Sequence, residues 1–281
     1  MKRVFVKNIN KWVTQEEKKR TLNLSLKAPC YHDAILLPLK RRTDISTTDG
    51  VYEGGVCTKN LDFLAGIQRD YTSTRANYSC CRAYHLPNSK IIYRKEKVVF
   101  GGILFRHFGH MIVDALSRMW WFAENPNTPY KFVFLMMEKQ KFLFPEFLNL
   151  AGLTEDRYEI ITEPTQFEEV IVPDEAIYSI SGASPKWLQY FDLIKENVKN
   201  KEPSSLPIEK VYLTRTQLEY PDGINEEYYE KFYAARGYKI VAPEKLSLSQ
   251  QINLISSAKE IVTTLGTLSH LAVFAGGGGE K

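Results

Sequence analysis

The stretch Phe105–Trp121, FRHFGHMIVDALSRMWW, decides the fold and the site predicted for this chain of 281 residues. It follows a strand-like run, Lys97–Phe100, and two glycines. From Gly109 onward the sequence predicts one helix that ends near Glu124, before a breaker rich in proline and asparagine. A strand, a glycine-rich turn and the start of a helix together form a common place for a ligand.

Three chemically active side chains share one face of that predicted helix. His110, Asp114 and Arg118 are spaced i, i+4, i+8, and at about 100° per residue they fall in one stripe roughly 80° wide. Ser117 and Trp121 lie in or beside this stripe. The apolar residues fall on the opposite, core-facing side of the helix: Ile112, Ala115, Leu116 and Met119.

Two interpretations of the stripe are open. In one, Asp114 and Arg118 form an ordinary surface ion pair with little energy at stake, and His110 is a satisfied histidine near the helix N-terminus. In the other, the three side chains line a ligand site. The large apolar run Met119–Phe122 predicts that the helix is well buried, and buried charges need partners or a purpose.

Composition bounds the class of protein. The chain is 44% hydrophobic, 12% aromatic and 25% charged, which is typical of a globular protein, and its length suggests two domains. The formal net charge of +4 suits an anionic ligand or an anionic membrane surface and does not indicate a nucleic-acid binder. No secretory signal and no transmembrane run of about 18 apolar residues is evident. The four cysteines form no C-x-x-C motif, so free thiols are expected: Cys30, Cys57, Cys80 and Cys81.

Short strands and helices alternate in the first part of the chain. Ile91–Tyr93 and Val98–Phe100 predict a hairpin with a charged turn between them. The other expected elements are strands at 34–39, 130–137, 157–161 and 169–172 and helices at 142–151 and 187–201. This alternation is typical of a parallel sheet with covering helices. A segment rich in proline and serine, 201–207, predicts a boundary between a domain of residues 1–202 and one of residues 203–281.

The second part is a βαβαβ unit, half of a Rossmann-like domain. Its predicted strands are 210–214, 238–241 and 260–264, and its helices are 226–235 and 248–258, the latter with Ser247 as N-cap. The chain stops soon afterwards, where a doubly wound domain continues with another strand and helix. We therefore expect this domain to be short at its C-terminus, as in a truncated product.

Arg215 follows the first strand of this unit. Ligands of open α/β sheets bind outside the carboxyl ends of the strands, and a guanidinium there can bind a diphosphate. The alternative is a surface arginine that caps a turn. Asn225 and Glu226 can likewise be only a helix N-cap and a first-turn acid favoured by the helix dipole.

Gly266–His270, GTLSH, is the turn after the third strand. A glycine permits close approach of a ligand, and backbone N–H groups with Thr and Ser hydroxyls suit a phosphate. The alternative is a plain connecting turn. The turn is neither G-x-G-x-x-G nor a P-loop, so it supports neither a dinucleotide nor an ATP motif.

Taken together, these motifs resemble glycosyltransferase family 61, of the capsular polysaccharide biosynthesis type. The motifs, in order, are H-x-x-x-D-x-x-x-R from His110, Arg215 with Asn225-Glu226, SQQI at 249–252 with Ala258, and GTLSH at 266–270. The resemblance covers about residues 95–275. The chain departs from the family pattern at Ser117, where relatives often have proline, and at Thr267, where they often have alanine.

The resemblance implies an α/β, GT-B-like fold with two Rossmann-like domains and a cleft between them. It implies inverting transfer of a sugar from a nucleotide-sugar donor to a glycan or lipid-linked glycan acceptor, without metal or other cofactor, in capsular or other surface polysaccharide synthesis. The absence of a D-x-D motif agrees with a metal-independent enzyme. Residues 1–202 would be the acceptor-side domain, and residues 203–281 the donor-binding domain.

The resemblance and the chemistry assign roles to residues. An inverting transfer needs a base for the acceptor hydroxyl and positive or N–H groups for the leaving diphosphate. The base is Asp114 or His110, and the choice between them is open. Arg118 and Trp121 would position the substrate. The expected donor-binding residues are Arg215, Asn225, Glu226, Gly266, Thr267 and His270.

Two other functions compete with this one. The first is a catalytically inactive relative that binds a nucleotide or glycan. The second is a Rossmann oxidoreductase or methyltransferase, against which the missing glycine-rich fingerprint argues. The expected location is the cytoplasm, with peripheral association at the inner face of a membrane and no nucleic-acid partner. The donor sugar, the acceptor, the linkage and the oligomeric state do not follow from the sequence.

Overall fold

The computed structural model describes residues 25–41, 51–66, 79–80, 82–87, 90–136, 141–178, 182–201, 208–218, 225–264 and 266–275. The chain forms two compact units, neither of them continuous in sequence. Unit 1 comprises Met1–Phe105, Asp114–Lys141 and Asp156–Trp187. Unit 2 comprises Arg106–Val113, Phe142–Glu155 and Leu188–Lys281. Residues 202–207 lie outside the described residues, so the domain boundary at 202 stays a prediction.

Unit 1 is built on one large sheet. Its strands are β1 (Cys30–His32), β2 (Ile35–Arg41), β3 (Val51–Cys57), β4 (Phe63–Ala65), β5 (Ser79–Cys80), β6 (Ile92–Leu104), β7 (Lys131–Met136), β8 (Tyr158–Ile160) and β9 (Thr165–Ile171); β10 (Ile177–Tyr178) and β11 (Gly182–Ala183) form a separate pair. The strand order is β4-β3-β2-β9-β6-β7-β8. Strands β9, β6, β7 and β8 are parallel neighbours, and the antiparallel strands β2, β3 and β4 extend the sheet from β9. The sheet is thus mixed rather than parallel throughout.

The predicted hairpin at residues 91–100 is wrong, because Ile92–Leu104 is one long strand, β6. The charges expected to form its turn have partners along the sheet instead. The Arg94 guanidinium donates to Glu159 at 2.9 Å and to Glu96 at 2.9 Å. Lys97 Nζ lies 2.6 Å from Glu169 of β9, and this hydrogen bond lowers the pKa of the Glu169 carboxyl. Paired charges at an exposed stretch of a strand do not require a turn.

Two glycines predicted to form a turn lie inside β6. A Cβ at Gly101 would overlap the ring of Phe134 on β7. Gly102 has φ +121°, and a Cβ there would lie 2.9 Å from the carbonyl oxygen of Ala115. The missing side chains therefore let a ring and a backbone segment approach the strand closely.

We expect Gly101→Ala to destabilise the protein by about 3 kcal/mol, because the fully buried Phe134 ring has little room to yield. Urea unfolding measures the loss. The matched control is Gly152→Ala, where φ is +93° but nothing lies within 4 Å of the added Cβ, so only the left-handed backbone penalty of about 1 kcal/mol remains. Adding Phe134→Leu to Gly101→Ala should recover part of the loss. Equal costs for the two glycine variants would contradict the steric explanation.

The single helix predicted from Gly109 to Glu124 is also wrong. The chain forms α1 (Phe108–Val113), a 3₁₀ turn (Ala115–Arg118) and α2 (Trp120–Glu124). The break at Asp114 is where the chain passes from unit 2 to unit 1. His110, Asp114 and Arg118 therefore do not lie on one face of a single helix, as the predicted stripe required. Its apolar counterpart is buried as predicted, with all four side chains fully inaccessible: Ile112, Ala115, Leu116 and Met119.

Long-range hydrogen bonds explain the break. Ser117 Oγ accepts the backbone N–H groups of Ala176 and Ile177 at 3.0 and 3.1 Å. The guanidinium of Arg118 is bonded to the loop that follows β9. These contacts tie the 3₁₀ turn to a segment more than 50 residues away, and they outweigh the few tenths of a kcal/mol per residue by which helix propensities differ.

Unit 2 contains the predicted βαβαβ arrangement. Its strands β12 (Lys210–Leu213), β13 (Lys239–Val241) and β14 (Glu260–Thr263) are parallel, in the order β13-β12-β14. After β12 the chain adds β13 on one side of this strand and then β14 on the other side, so the strand order reverses between β12 and β14. The helices are α3 (Glu146–Ala151), α4 (Lys186–Lys201, in unit 2 from Leu188), α5 (Glu226–Ala234) and α6 (Leu248–Ser257), with 3₁₀ segments at Pro243–Lys245 and Thr267–Phe274. A further 3₁₀ turn, Glu155–Arg157, begins in unit 2 and ends in unit 1.

Local signals fixed the helix ends in this unit. Ser247 and Gln250 form a capping box at the start of α6, as predicted from Ser247. Gly152 caps α3 in the left-handed conformation. The aromatic core of the unit joins residues that are distant in sequence. Phe274 stacks on Phe147 with ring centroids 6.4 Å apart and meets Phe191 edge-on. Within the part of the chain that the structure describes, no helix has the length and apolarity to cross a bilayer.

Candidate functional site

The strongest cluster of predicted site residues lies in unit 2, at the carboxyl ends of β12 and β14. The chain continues from β12 into Thr214 and Arg215, and from β14 into Thr264 and, one residue later, Gly266. In an open α/β sheet, ligands bind in the crevice where the strand order reverses. In the order β13-β12-β14 that crevice is between these two strand ends.

Arg215 is held by Glu226. The backbone N–H of Arg215 donates to Glu226 Oε1 at 3.0 Å, and its Nε lies 3.8 Å from Glu226 Oε2. The side chains are 15% and 4% exposed, respectively. Glu226 begins α5, where the helix dipole favours a carboxylate. Glu226 is therefore a buried anchor for the guanidinium of Arg215, and Arg215 is not a surface arginine that caps a turn.

Gly266 lies directly against that guanidinium. Its φ is +139°, and a Cβ built on it would be 3.2 Å from Arg215 Nη1. The carbonyl of Gly266 accepts the hydroxyl of Ser269 at 2.6 Å, which fixes the turn. Thr267 begins the following 3₁₀ segment and is half-buried. The structure thus brings the two predicted motifs, Arg215 and GTLSH, together.

Three buried polar atoms at this place have no hydrogen-bond partner among the residues that the structure describes: Arg215 Nε, Glu226 Oε2 and Thr264 Oγ1. The distance of 3.8 Å between the first two is too long for a hydrogen bond. Buried polar atoms are nearly always satisfied in proteins, and exceptions often mark functional positions. Their presence together marks this place as a candidate functional position.

The loop after β12 is anchored a second time on α5. The hydroxyls of Thr214 and Thr216 both donate to Glu230 Oε1 at 2.6 Å. On β12 itself, burial and the nearby Glu226 carboxylate raise the pKa of Tyr212 to about 12. Two carboxylates one helical turn apart thus hold the segment that carries Arg215. A rigid backbone of this kind preorganises the guanidinium.

Asn225 occupies the N-cap position of α5 with φ +61°, but its side chain forms no capping hydrogen bond. Asparagine tolerates this left-handed backbone better than most residues. The structure therefore supports a backbone role for Asn225 at the start of the helix, and its donor-binding role stays a prediction.

Histidines surround Gly109 in the same unit. A Cβ at Gly109 would lie 3.1 Å from His270 Nε2 and 3.4 Å from His107 Cε1. The rings of His107 and His110 meet edge-on, with centroids 4.9 Å apart. His270, which was predicted, thus lies against Gly109, and so does His107, which the sequence prediction missed and which contacts the predicted His110. The pattern H-F-G-H, with its glycine between two histidines, was the available signal.

The other predicted residues belong to unit 1. Asp114 is half-buried and precedes the 3₁₀ turn without a side-chain capping bond. Arg118 is buried and donates to the carbonyls of Pro173 and Gly66 and to Glu175 Oε1 at 3.2 Å. Arg118 thus forms a buried ion pair with Glu175. The interpretation of Arg118 as part of an ordinary surface ion pair with Asp114 is therefore wrong.

Trp121, also of unit 1, is half-buried and packs against Phe132, with ring centroids 6.0 Å apart. Its carbonyl accepts the side-chain amide of Asn125 at 2.9 Å. These contacts hold the indole in the unit. The substrate-positioning roles of Trp121 and Arg118 stay predictions. No group of three His, Cys, Asp or Glu side chains that could hold a metal ion occurs among the described residues.

Comparison with protein-family models identifies a family for this chain. Residues 108–278 match the protein-family model described as Glycosyltransferase 61. That span is more than half of the chain and includes every residue predicted to form the site. No curated protein sequence matches the chain significantly.

Proposed function

Because the chain belongs to the glycosyltransferase 61 family, we propose that it is an inverting glycosyltransferase whose donor site is the crevice between the ends of β12 and β14. The family implies a nucleotide-sugar donor and a glycan acceptor in general. One observation carries the choice of site. Arg215, anchored on the buried Glu226, lies against a glycine whose missing side chain leaves room at the guanidinium.

The chemistry of transfer needs such a cation. As the bond between the sugar and the diphosphate breaks, negative charge collects on the leaving phosphate oxygens. A guanidinium donates two parallel hydrogen bonds to such oxygens, and a preorganised donor stabilises the charge without reorganising. Gly266 and Thr267 would add backbone and hydroxyl donors, and His270 and Asn225 would complete the donor site. Glu226 acts through Arg215, as a positioning residue.

Inversion requires the acceptor hydroxyl to attack the anomeric carbon from the face opposite the leaving diphosphate. A base removes the proton of that hydroxyl as the new bond forms. We assign this role to Asp114 or His110. Arg118 and Trp121 would position the substrate indirectly, by fixing the chain segment in which they lie.

The proposal extends to features supported only by the resemblance and by the charge. These are a GT-B-like layout of two Rossmann-like domains with a cleft, transfer of a hexose or pentose to a glycan or lipid-linked glycan, and a role in capsular or other surface polysaccharide synthesis. A cytoplasmic location at the inner face of a membrane suits the net charge of +4.

A ligand panel tests the proposed function. We expect a nucleoside diphosphate and its sugar, from a set of UDP, GDP, dTDP and their sugars, to raise the melting temperature of the full chain, because a ligand at 100 times its Kd stabilises by about 2.7 kcal/mol. The same donor should release its nucleoside diphosphate in the presence of glycan acceptors.

Two controls accompany the panel. Arg236→Ala removes an exposed cation that rests on the ring of Phe232 in the same unit, and it should bind the nucleotide like the parent chain. NAD and S-adenosylmethionine should have no effect. Stabilisation by either of these, with none by any nucleotide sugar, would overturn the proposal.

A further inference from the structure

A cavity of about 150 Å³ lies in unit 1, beside the loop that follows β9. Tyr31, Phe63, Gly66, Arg118, Asp174 and Glu175 line it, and of these only Arg118 has a role in the function proposed above. The volume exceeds the roughly 30 Å³ of one water several-fold and is below the roughly 300–1,000 Å³ of pockets for drug-sized ligands. It therefore suits a ligand of about one ring.

The walls of this cavity are preorganised. The side chain of Arg118 is only 8% exposed, and its hydrogen bonds join Gly66, after β4, to Pro173 and Glu175, after β9. The backbone of Asp174 is fixed as well, since its carbonyl accepts the Trp120 indole N–H at 2.9 Å. A ligand entering here meets side chains that are already ordered, which lowers the entropic cost of binding.

The charges of the lining select the class of ligand. The lining includes two acidic residues, Asp174 and Glu175, and one guanidinium, Arg118, which is already committed to Glu175 and two carbonyls. The net negative lining disfavours phosphates and other anions. Carboxylate oxygens accept hydrogen bonds from hydroxyls. The Asp174 carboxylate accepts one backbone N–H, from Lys27 at 2.8 Å, and forms no other hydrogen bond with a described residue.

Two aromatic rings complete the lining, Tyr31 and Phe63, both half-buried. A sugar ring combines hydroxyls, which suit the carboxylates, with an apolar C–H face, which suits an aromatic ring. We propose that this cavity is a binding site for one neutral saccharide ring. The inference rests on the proposed glycosyltransferase function only for the choice of saccharides among hydroxyl-rich ligands.

Saturation-transfer NMR on the full chain tests this site. The probes are the methyl glycosides of glucose, galactose, N-acetylglucosamine and xylose, with methyl glucuronoside as the anionic counterpart and glucosamine as the cationic one. We expect at least one neutral glycoside to bind with a Kd in the millimolar range or below, and the anionic probe to bind at least tenfold more weakly.

Two variants locate the binding. Asp174→Asn keeps an oxygen for the N–H of Lys27 but removes the charge, and it should weaken glycoside binding about tenfold, as expected for a lost charge-assisted hydrogen bond. Tyr31→Ala should also weaken it. The matched control is Asp192→Asn, an exposed carboxylate on α4, which should leave the affinity unchanged.

The outcomes separate this inference from the proposed function. A chain that binds a nucleoside diphosphate but no neutral glycoside, or that binds only the charged probes, overturns the saccharide site alone. Glycoside binding that neither Asp174→Asn nor Tyr31→Ala weakens places the sugar elsewhere and overturns it as well. Glycoside binding that both variants weaken, in a chain that binds no nucleotide, supports this site and contradicts the proposed donor site.

Discussion

Replacing Arg215 with alanine is expected to lower kcat/KM for the nucleotide-sugar donor by about 10²–10³-fold, the loss typical of removing one preorganised donor to a developing negative charge. The guanidinium is the cation that the structure fixes at the ends of β12 and β14, through Glu226. Steady-state kinetics with the donor identified in the ligand panel measures the effect.

Folding must be separated from catalysis in this test, because the alanine variant leaves the Glu226 carboxylate buried without its cation, which destabilises proteins strongly. Arg215→Lys keeps the positive charge but loses the planar fork, and it should retain stability while losing about tenfold in kcat/KM. Arg236→Ala serves as the control for a general loss of positive charge. A folded Arg215→Ala protein with the parent kcat/KM would remove this residue from the donor site.

Removing the catalytic base is expected to lower kcat by about 10²–10⁴-fold, with little change in the KM of the donor. The two candidates are Asp114 and His110, and Asp114→Asn tests the first directly. Asparagine has nearly the same shape as aspartate, so the substitution removes the charge with little change in packing. Full activity of this variant would exclude Asp114 as the base.

Chemical rescue distinguishes the candidates. Asp114→Ala should recover activity with added formate if the carboxylate takes the proton, and His110→Ala should recover with imidazole if the histidine does. His85→Ala is the control, because this histidine is exposed and has no role in the proposed reaction. Loss of activity in both candidate variants with rescue of only one identifies the base.

The predicted hairpin and the predicted long helix show where local patterns mislead. Charged residues between two apolar runs are typical of a turn, yet Arg94 and Lys97 lie on β6 because they pair with Glu159 on β8 and Glu169 on β9. The helix is interrupted because Ser117 and Arg118 bond to a loop that the sequence does not identify as their neighbour.

The candidate site likewise has parts that local sequence patterns predict and parts that they do not. Arg215 and the GTLSH turn could be predicted to meet, because the carboxyl ends of parallel strands in a βαβαβ unit lie on one edge of the sheet. Glu226 was predicted as a donor-binding residue or a first-turn acid, and the structure adds that it anchors Arg215. The local pattern H-F-G-H could have pointed to His107, but the approach of His270 to Gly109 and the burial of the Thr264 hydroxyl depend on how distant segments pack.

The sequence by itself determined the α/β class, the three parallel strands of unit 2 and the helix cap at Ser247, because periodicity, capping and short connections act over a few residues. The order of its motifs indicated the family, which the family model confirms. Only the tertiary structure decided that Phe105–Trp121 is not one helix. The guanidinium of Arg118 is buried and takes its partners from residues more than 50 positions away. A buried cation without partners costs more free energy than a few residues of helix can return.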